Sequence, residues 1–323
     1  MFQLFKKRKD ALVVLLTSSD CKRTRRAYES IKNSKKSMTI DIEIIVNSLN
    51  KNHINNITNE FKKDKVRIIE TESNGGCGKG KNSVLEHFRN HQNNYDYLMQ
   101  FDADDFLYPS AFEQYEKMLS KGPDILGLQA SDTLIQESDE RARDFFDDSY
   151  KHGNEFLHYI VDNYFLHSWN EKELNLNKLF PKNVFENVSD QYPPDRTIFM
   201  SANILKKETD LWVPEDIQKY TDYIFSVRLF EKALNNNYSY AHFSNSYCYV
   251  YDRTNENAVS STYEEFNQTR ESFNKKFPEL IKDAVEKCDY KIDFSIVPHF
   301  EIEKPNNFSH QDKIQFIKNN IIN

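Results

Sequence analysis

The sequence predicts an α/β fold: a mainly parallel sheet flanked by helices, with a small helical extension at the C-terminus. Short apolar runs at residues 11–16, 42–46, 66–70 and 95–101 alternate with helix-compatible stretches at 23–34, 81–90 and 110–120. That order joins parallel strands by crossover helices. The segments just beyond those runs are Thr17-Ser18-Ser19, Asn47-Ser48, residues 74–80 and residues 102–105. They are hydroxylic, amide-bearing, glycine-rich or acidic, and open α/β sheets gather their ligands at this edge. The chain has 323 residues, 38% hydrophobic and 14% aromatic, enough apolar material for a packed core and against disorder over most of its length.

In chain order, the run at 11–16 follows a basic start and is far too short for a secretory signal core or a membrane span. The strands at 42–46, 66–70 and 95–101 complete a four-stranded parallel unit, and a fifth strand at 124–129 follows Gly122-Pro123. From 139 to 194 the pattern is irregular, acidic and aromatic, with Phe145-Phe146, Tyr164-Phe165 and Trp169, and reads as an inserted loop region. Order returns with residues 197–205, a turn at Pro214-Glu215, a helix at 222–234 and an aromatic strand at 247–251. Helices at 263–276 and 278–288 and a tail close the chain. This divides it into one domain over 1–260, with halves 1–130 and 131–260, and an extension over 261–323.

A net charge of -7 and a pI near 5.8 argue against a nucleic-acid partner, whose footprint is basic. Basic clusters at residues 6–9, 22–26 and 32–36 read as solvated helix faces and termini, with local attraction for phosphate or an anionic membrane as the other reading. Cys21, Cys77, Cys248 and Cys288 are scattered without metal-ligand spacing and read as free thiols of a reducing, cytoplasmic compartment.

The fourth strand ends in Asp102-Ala103-Asp104-Asp105. Alternation puts Gln100, Asp102 and Asp104 on one face and Met99 and Phe101 on the other. Crowded carboxylates call for a cation, and hard oxygen ligands suit Mg²⁺ or Mn²⁺ better than zinc. An acidic turn capping the next helix is the other reading, with Asp105 as the cap. Four of the chain's seven glycines, Gly75, Gly76, Gly78 and Gly80, lie together and bring backbone near a ligand. Residues 75–82 nearly match a Walker A loop, but Asn82 stands where that motif needs a hydroxyl, which disfavours a P-loop NTPase or kinase.

Five segments carry a resemblance. Residues 14–31 align without gaps to a nucleotide-binding strand and helix, and 43–46 to a second strand. Asn74-x-Gly76-x-x-x-Gly80-Lys81-Asn82 is similar to N-x-G-x-x-x-A-R-N, and Asp102-Ala103-Asp104-Asp105 with Tyr108-Pro109 to a D-x-D site. Tyr220-Thr221-Asp222, followed by residues 225–229, is similar to a helix start written E-D. Together they resemble family 2-type glycosyltransferases of the Rossmann-like GT-A fold, over about the first 130 residues and more weakly over 197–260.

The resemblance implies metal-dependent, inverting transfer of a sugar from a nucleotide-sugar to an acceptor hydroxyl, a hexosyltransferase-like activity. It implies Mn²⁺ or Mg²⁺ on Asp104, with Asp102 at the metal or the ribose, and Asp222 as base. Donor contacts fall to Thr17, Ser19, Asn47, Ser48, Asn74, Gly76, Lys81, Asp102 and Arg253, and Trp169 with His167 is the candidate acceptor surface. The alternatives for single residues are capping for Asp222, a surface ion pair for Arg253 and core packing for Trp169. UDP-sugars are the favoured donors, although 47–50 reads Asn-Ser-Leu-Asn where the family places acids. Thr221 replaces the usual Glu, and Lys81 the usual Arg. The acceptor is a glycan, a lipid-linked molecule or a protein, and a lipid-linked acceptor is compatible with a peripheral membrane location. A nucleotidyltransferase and a catalytically silent sugar-binding module remain alternatives.

Overall fold

The computed structural model describes residues 8–18, 20–34, 36–128, 132–139, 156–169, 197–215, 221–243, 248–254, 299–300 and 309–322. The first half alternates as expected: β1 (Lys9–Thr17), α1 (Cys21–Asn33), β2 (Ile40–Val46), α2 (Lys51–Glu60), β3 (Arg67–Glu70), α3 (Cys77–His91) and β4 (Tyr95–Asp102). Then follow β5 (Phe106–Leu107), α4 (Ala111–Leu119), β6 (Ile125–Leu128), β7 (Asp132–Gln136), β8 (Phe156–Val161) and β9 (Tyr164–Trp169). The second half adds β10 (Thr197–Ser201), α5 (Ala202–Lys207), α6 (Thr221–Asn236), β11 (Tyr240–Phe243), β12 (Tyr249–Asp252), β13 (His299–Phe300) and α7 (His310–Ile317).

The main sheet has eight strands in the order β13-β11-β6-β10-β4-β1-β2-β3. Among the described strands of this sheet, only β10 runs antiparallel to its neighbours, β4 and β6. The central strand β1 is buried on both faces, as the crossover helices of a parallel sheet require. Ala11, Val13 and Leu15 face one layer with Ala27, Tyr28 and Ile31 of α1, while Leu12 and Val14 face Val84, Leu85 and Phe88 of α3.

Helix α2 has no counterpart among the helices expected from the sequence, since Ile54, Ile57 and the flanking Phe61 are spread among polar residues. It buries only His53 and Ile57, and Asn50 starts it by accepting from Asn52 N at 3.0 Å. The aromatic stretch read as an inserted loop contains the hairpin β8–β9, turned at Asp162-Asn163 with Asp162 at φ 55°. With β5, β12 and β7 it forms a five-stranded second sheet in the order β5-β12-β7-β9-β8. The alternation is hard to see in sequence because residues on both faces are aromatic or aliphatic.

The helices expected at 263–276 and 278–288 lie outside the described residues, whereas α7 falls in the segment read as a tail. It packs on the second sheet, where Ile317 is buried with Phe106, Leu134, Leu166 and Val250. Lys313 is fully buried and its Nζ donates to both oxygens of Asp132 at 3.0 Å. The Ser168 hydroxyl donates to the same carboxylate. Removing one partner of a buried pair strands the other charge, so Lys313→Met should lower stability by ~3–5 kcal/mol, and Lys313→Met/Asp132→Leu should recover most of it. Urea unfolding of the two variants checks this.

Candidate functional site

The carboxyl ends of β1, β2 and β4 lie side by side. Thr17 is in register with Val46 and Leu16 with Asp102, and Ala103 N donates to Leu16 O at 3.1 Å. The chain turns at once, with Asp105 N donating to Asp102 O at 3.2 Å, so the three acids take three environments. Asp102 is about a third exposed. Burial first, and then the charges of Asp102 and Asp252, push the Asp104 carboxyl up to about 7.

Asp105 is buried, and burial followed by the neighbouring Asp104 holds its carboxyl well above the ordinary range. It accepts from the Tyr249 hydroxyl and, at 2.8 Å, from Asp252 N. The sequence reading of Asp105 as a helix cap is therefore corrected: Ser110 stands at the N-cap of α4. Asp105 instead anchors β12, because β5 pairs antiparallel with that strand right after the turn.

A second hub, absent from the sequence reading, supports the turn from behind. Asp252 is buried and accepts from Arg23 Nη1 at 2.6 Å, from Arg26, and from Thr254 N and Oγ1 at 2.8 and 2.7 Å. Arg26 also donates to the carbonyl of Asp104 and stacks over Phe106 at 4.6 Å. The basic run at 22–26, read as a solvated face, thus turns two arginines inward to hold the acidic turn. Arg253, the next residue after Asp252, donates its N–H to Leu134 O at 2.8 Å and lies 5.8 Å from the Tyr251 ring.

The glycine loop is shaped by contact with protein. Gly75 N donates to Ser73 Oγ at 3.0 Å and Gly76 N to Asn74 Oδ1 at 2.9 Å, so these amides are not arrayed as a phosphate cradle. Asn82, where a Walker loop needs a hydroxyl, exchanges two 2.8 Å bonds with the backbone of Val213. A Cβ on Gly78 would sit 2.3 Å from the Pro214 carbonyl, and one on Gly80 would sit 2.8 Å from Asn47 Nδ2. These approaches clamp α3 against the end of β2 and against residues 213–215, shortly before α6.

Lys81 projects from the clamped helix and is buried. Its Nζ lies 2.6 Å from Asp222 Oδ1, in the first turn of α6, and 4.0 Å from Asp102 Oδ1. Burial alone would lower the pKa of its ammonium, but Asp102 and Asp222 outweigh that and raise it. Burial likewise lifts the Cys77 thiol to about 11, with Asp102, Asp222 and Asp104 adding to the rise and Lys81 opposing it. The thiol sits in the field of all four groups and is no nucleophile at neutral pH.

The structure thus brings Lys81, Asp102, Asp104 and Asp222 together. Thr17 and Asn47 brace the site from within. Buried Thr17 has its Oγ1 2.7 Å from Thr24 Oγ1 and 3.1 Å from His53 Nε2, and Asn47 Nδ2 donates to Gly76 O at 3.2 Å. Ser48 Oγ accepts from Asn50 N at 3.1 Å, and Asn74 Nδ2 donates to Glu215 O at 3.4 Å. Ser19 and Tyr220 lie outside the described residues. The backbones of His167 and Trp169 run along β9, paired with Thr133 and Phe156 respectively, and their side chains lie outside the description. Asp252, Arg26 and His53 are the contributors that sequence reasoning missed, since a lone Asp, a basic run and a His in a polar helix carry no motif.

Among the described residues no group of three or more His, Cys, Asp or Glu side chains is set to hold a metal ion. Asp102 and Asp104 form a two-carboxylate set at the turn. That set fits an ion such as Mg²⁺ or Mn²⁺, which commonly takes one or two carboxylates and completes its shell with substrate phosphate and water.

The model of the family described as Glycosyl transferase family 2 matches residues 13–200. No curated protein matches the sequence. Among solved structures, Staphylococcus aureus TarS 1-349 in complex with UDP-GlcNAc aligns at 14% identity and a TM-score of 0.50, over 89% of this chain and 73% of that one. At that identity the likeness is one of fold. The same TarS fragment in complex with UDP aligns at 12% identity and a TM-score of 0.46, over 88% and 77% of the two chains. The mannosyltransferase PcManGT from Pyrobaculum calidifontis, in complex with GDP-Man and Mn²⁺, aligns at 11% identity and a TM-score of 0.49, over 96% and 70%.

Proposed function

This chain belongs to glycosyl transferase family 2, and from that premise we propose that it moves a sugar from a nucleotide-sugar to an acceptor hydroxyl with inversion, as a metal-dependent, hexosyltransferase-like enzyme. The observation that carries this reading is the meeting of Asp102, Asp104, Lys81 and Asp222 at the carboxyl edge of the sheet.

Asp104, with Asp102 beside it or at the ribose, would hold Mn²⁺ or Mg²⁺; the ion supplies neutralisation of the diphosphate charge that grows as the sugar leaves. Asp222 takes the proton of the acceptor hydroxyl while that oxygen bonds to the anomeric carbon. The carbon–oxygen bond to the β-phosphate breaks and its electron pair stays on the diphosphate. One displacement with a separate base inverts the centre. Lys81 and Arg253 offer positive charge to the diphosphate. Asn74 and Gly76 shape the loop beside the nucleotide, Ser48 follows β2 at its carboxyl end, Thr17 and Asn47 hold the strand ends in place, and Ser19 is a further proposed donor contact.

UDP-sugars are the favoured donors. The acceptor is a glycan, a lipid-linked molecule or a protein, with Trp169 and His167 as its candidate contacts. A cytoplasmic location, peripheral to a membrane for a lipid-linked acceptor, suits this chemistry. No helix among the described residues is long and apolar enough to cross a membrane.

A thermal-shift panel of UDP-, GDP- and dTDP-sugars with and without Mn²⁺, on the wild type and on Asp104→Ala, tests the reading. Cation-dependent stabilisation of the wild type alone is expected, and none with any nucleotide-sugar refutes it.

A pH dependence follows from Asp104. Its folded pKa, about 7, stands above the ordinary value of 3.8, so its protonated form is favoured by folding. Without a cation, this contribution to stability is fully present below the ordinary value and is lost as pH rises through about 7. A cation needs the ionised form, so Mn²⁺-dependent UDP binding should weaken as pH falls below about 7, approaching ~10-fold per unit. Calorimetric titration across that range checks both the sign and the slope.

A further inference from the structure

Lys81 stands between two carboxylates that the proposed reaction uses for different tasks. Its Nζ is 2.6 Å from Asp222 Oδ1, the proposed base, and 4.0 Å from Asp102 Oδ1 on the donor side. Its backbone has little freedom, because neighbouring Gly78 and Gly80 fit against the Pro214 carbonyl and Asn47 with no room for a side chain. Asn82, the next residue, is pinned to Val213. What remains mobile is the ammonium on its four-carbon stem, a compact charge that reorients by rotamer change.

An ammonium 2.6 Å from a carboxylate oxygen occupies the position from which that oxygen must reach the acceptor proton. A diphosphate carries more negative charge than a single carboxylate and competes for the same ammonium.

Resting on the donor-site reading above, we propose that Lys81 is a positioning residue that couples donor occupancy to the base. With the donor absent, its ammonium holds Asp222. A nucleoside diphosphate beside Asp102 and Asp104 draws the ammonium across and leaves Asp222 to the acceptor hydroxyl. Donor then binds before the acceptor is activated, and the positive charge arrives where the leaving group develops its negative charge. No covalent step is added, since only an ion pair is exchanged.

The coupling is measured by calorimetric titration of UDP with Mn²⁺ into the full chain, in a cycle of wild type, Asp222→Asn, Lys81→Met and the double variant. If the ammonium is shared, Asp222→Asn releases it and tightens UDP binding by about 5- to 10-fold, and Lys81→Met weakens binding by about 10-fold. In the Lys81→Met background, Asp222→Asn then changes affinity by less than about 2-fold. A merely structural Lys81 gives no tightening in Asp222→Asn. That single comparison, on a near-isosteric variant whose fold is checked by circular dichroism, overturns the proposal if binding is unchanged or weaker. Equal tightening with and without Lys81→Met also overturns it, since general charge removal would explain the gain. Loss of both UDP and GDP binding by the wild type is a different result and removes the donor-site reading itself.

Discussion

Asp104→Asn is expected to abolish Mn²⁺-dependent stabilisation by nucleotide-sugars and to lower sugar transfer by a factor of about 10³ or more. Asp104 combines a position at the end of the central β4–β1 pair with a carboxyl raised to about 7 by burial, Asp102 and Asp252. It is held there by Arg26, which grips its carbonyl from α1. The amide keeps the shape and removes the charge, so the acidic turn should stay in place while cation affinity disappears. The same substitution should stabilise the protein in the absence of cation above about pH 7, because a carboxylate that is costly to ionise is gone. Opposite signs for function and for cation-free stability separate this outcome from simple misfolding. Thermal melts with and without Mn²⁺, read beside kcat/KM, report both. Asp102→Asn should cost less, as Asp102 is about a third exposed and already faces Lys81.

Asp222→Asn is the second large effect, with turnover expected to fall by about 10²- to 10⁴-fold and donor affinity retained or improved. An amide accepts no proton at neutral pH, while its oxygen keeps the place of the carboxylate oxygen that lies 2.6 Å from Lys81 Nζ, so α6 and the clamped α3 should remain joined. Single-turnover transfer with donor and Mn²⁺ at saturation isolates the chemical step. A loss confined to donor affinity would contradict the role of Asp222 as base.

The β1–β4 strands were legible because each is a short apolar run bounded by polar or glycine-rich turns, a signature strongest in β1, which is buried on both faces. Helix α2 was not, since its two buried positions, His53 and Ile57, share a face within a run of Asn, Thr, Lys and Glu that reads as polar. The β8–β9 hairpin was hidden by aromatic residues on both of its faces. Within the candidate site, Asp102, Asp104, Lys81 and Asp222 each carry a motif-like neighbourhood that marks them in sequence. Arg23, Arg26 and Asp252 do not, because the pairing spans more than 220 positions (|i−j| 229 and 226), and nothing local marks a basic run as facing inward.

By itself the sequence determined the strand–helix alternation, the edge at which chemistry-bearing residues collect and the identity of the acidic turn. These are local properties, set by side-chain periodicity and by the few residues that tolerate tight turns. Tertiary structure alone decided the three environments of the acids, with Asp105 turned inward to hold β12, the Asp104 carboxyl pushed up to about 7 and Asp102 left facing Lys81. It also decided that Lys81 and Asp222, distant in sequence, share one ion pair, and that α7 closes the second sheet over a buried Lys313–Asp132 contact. Burial and charge proximity set these properties, and both arise only when distant segments pack together.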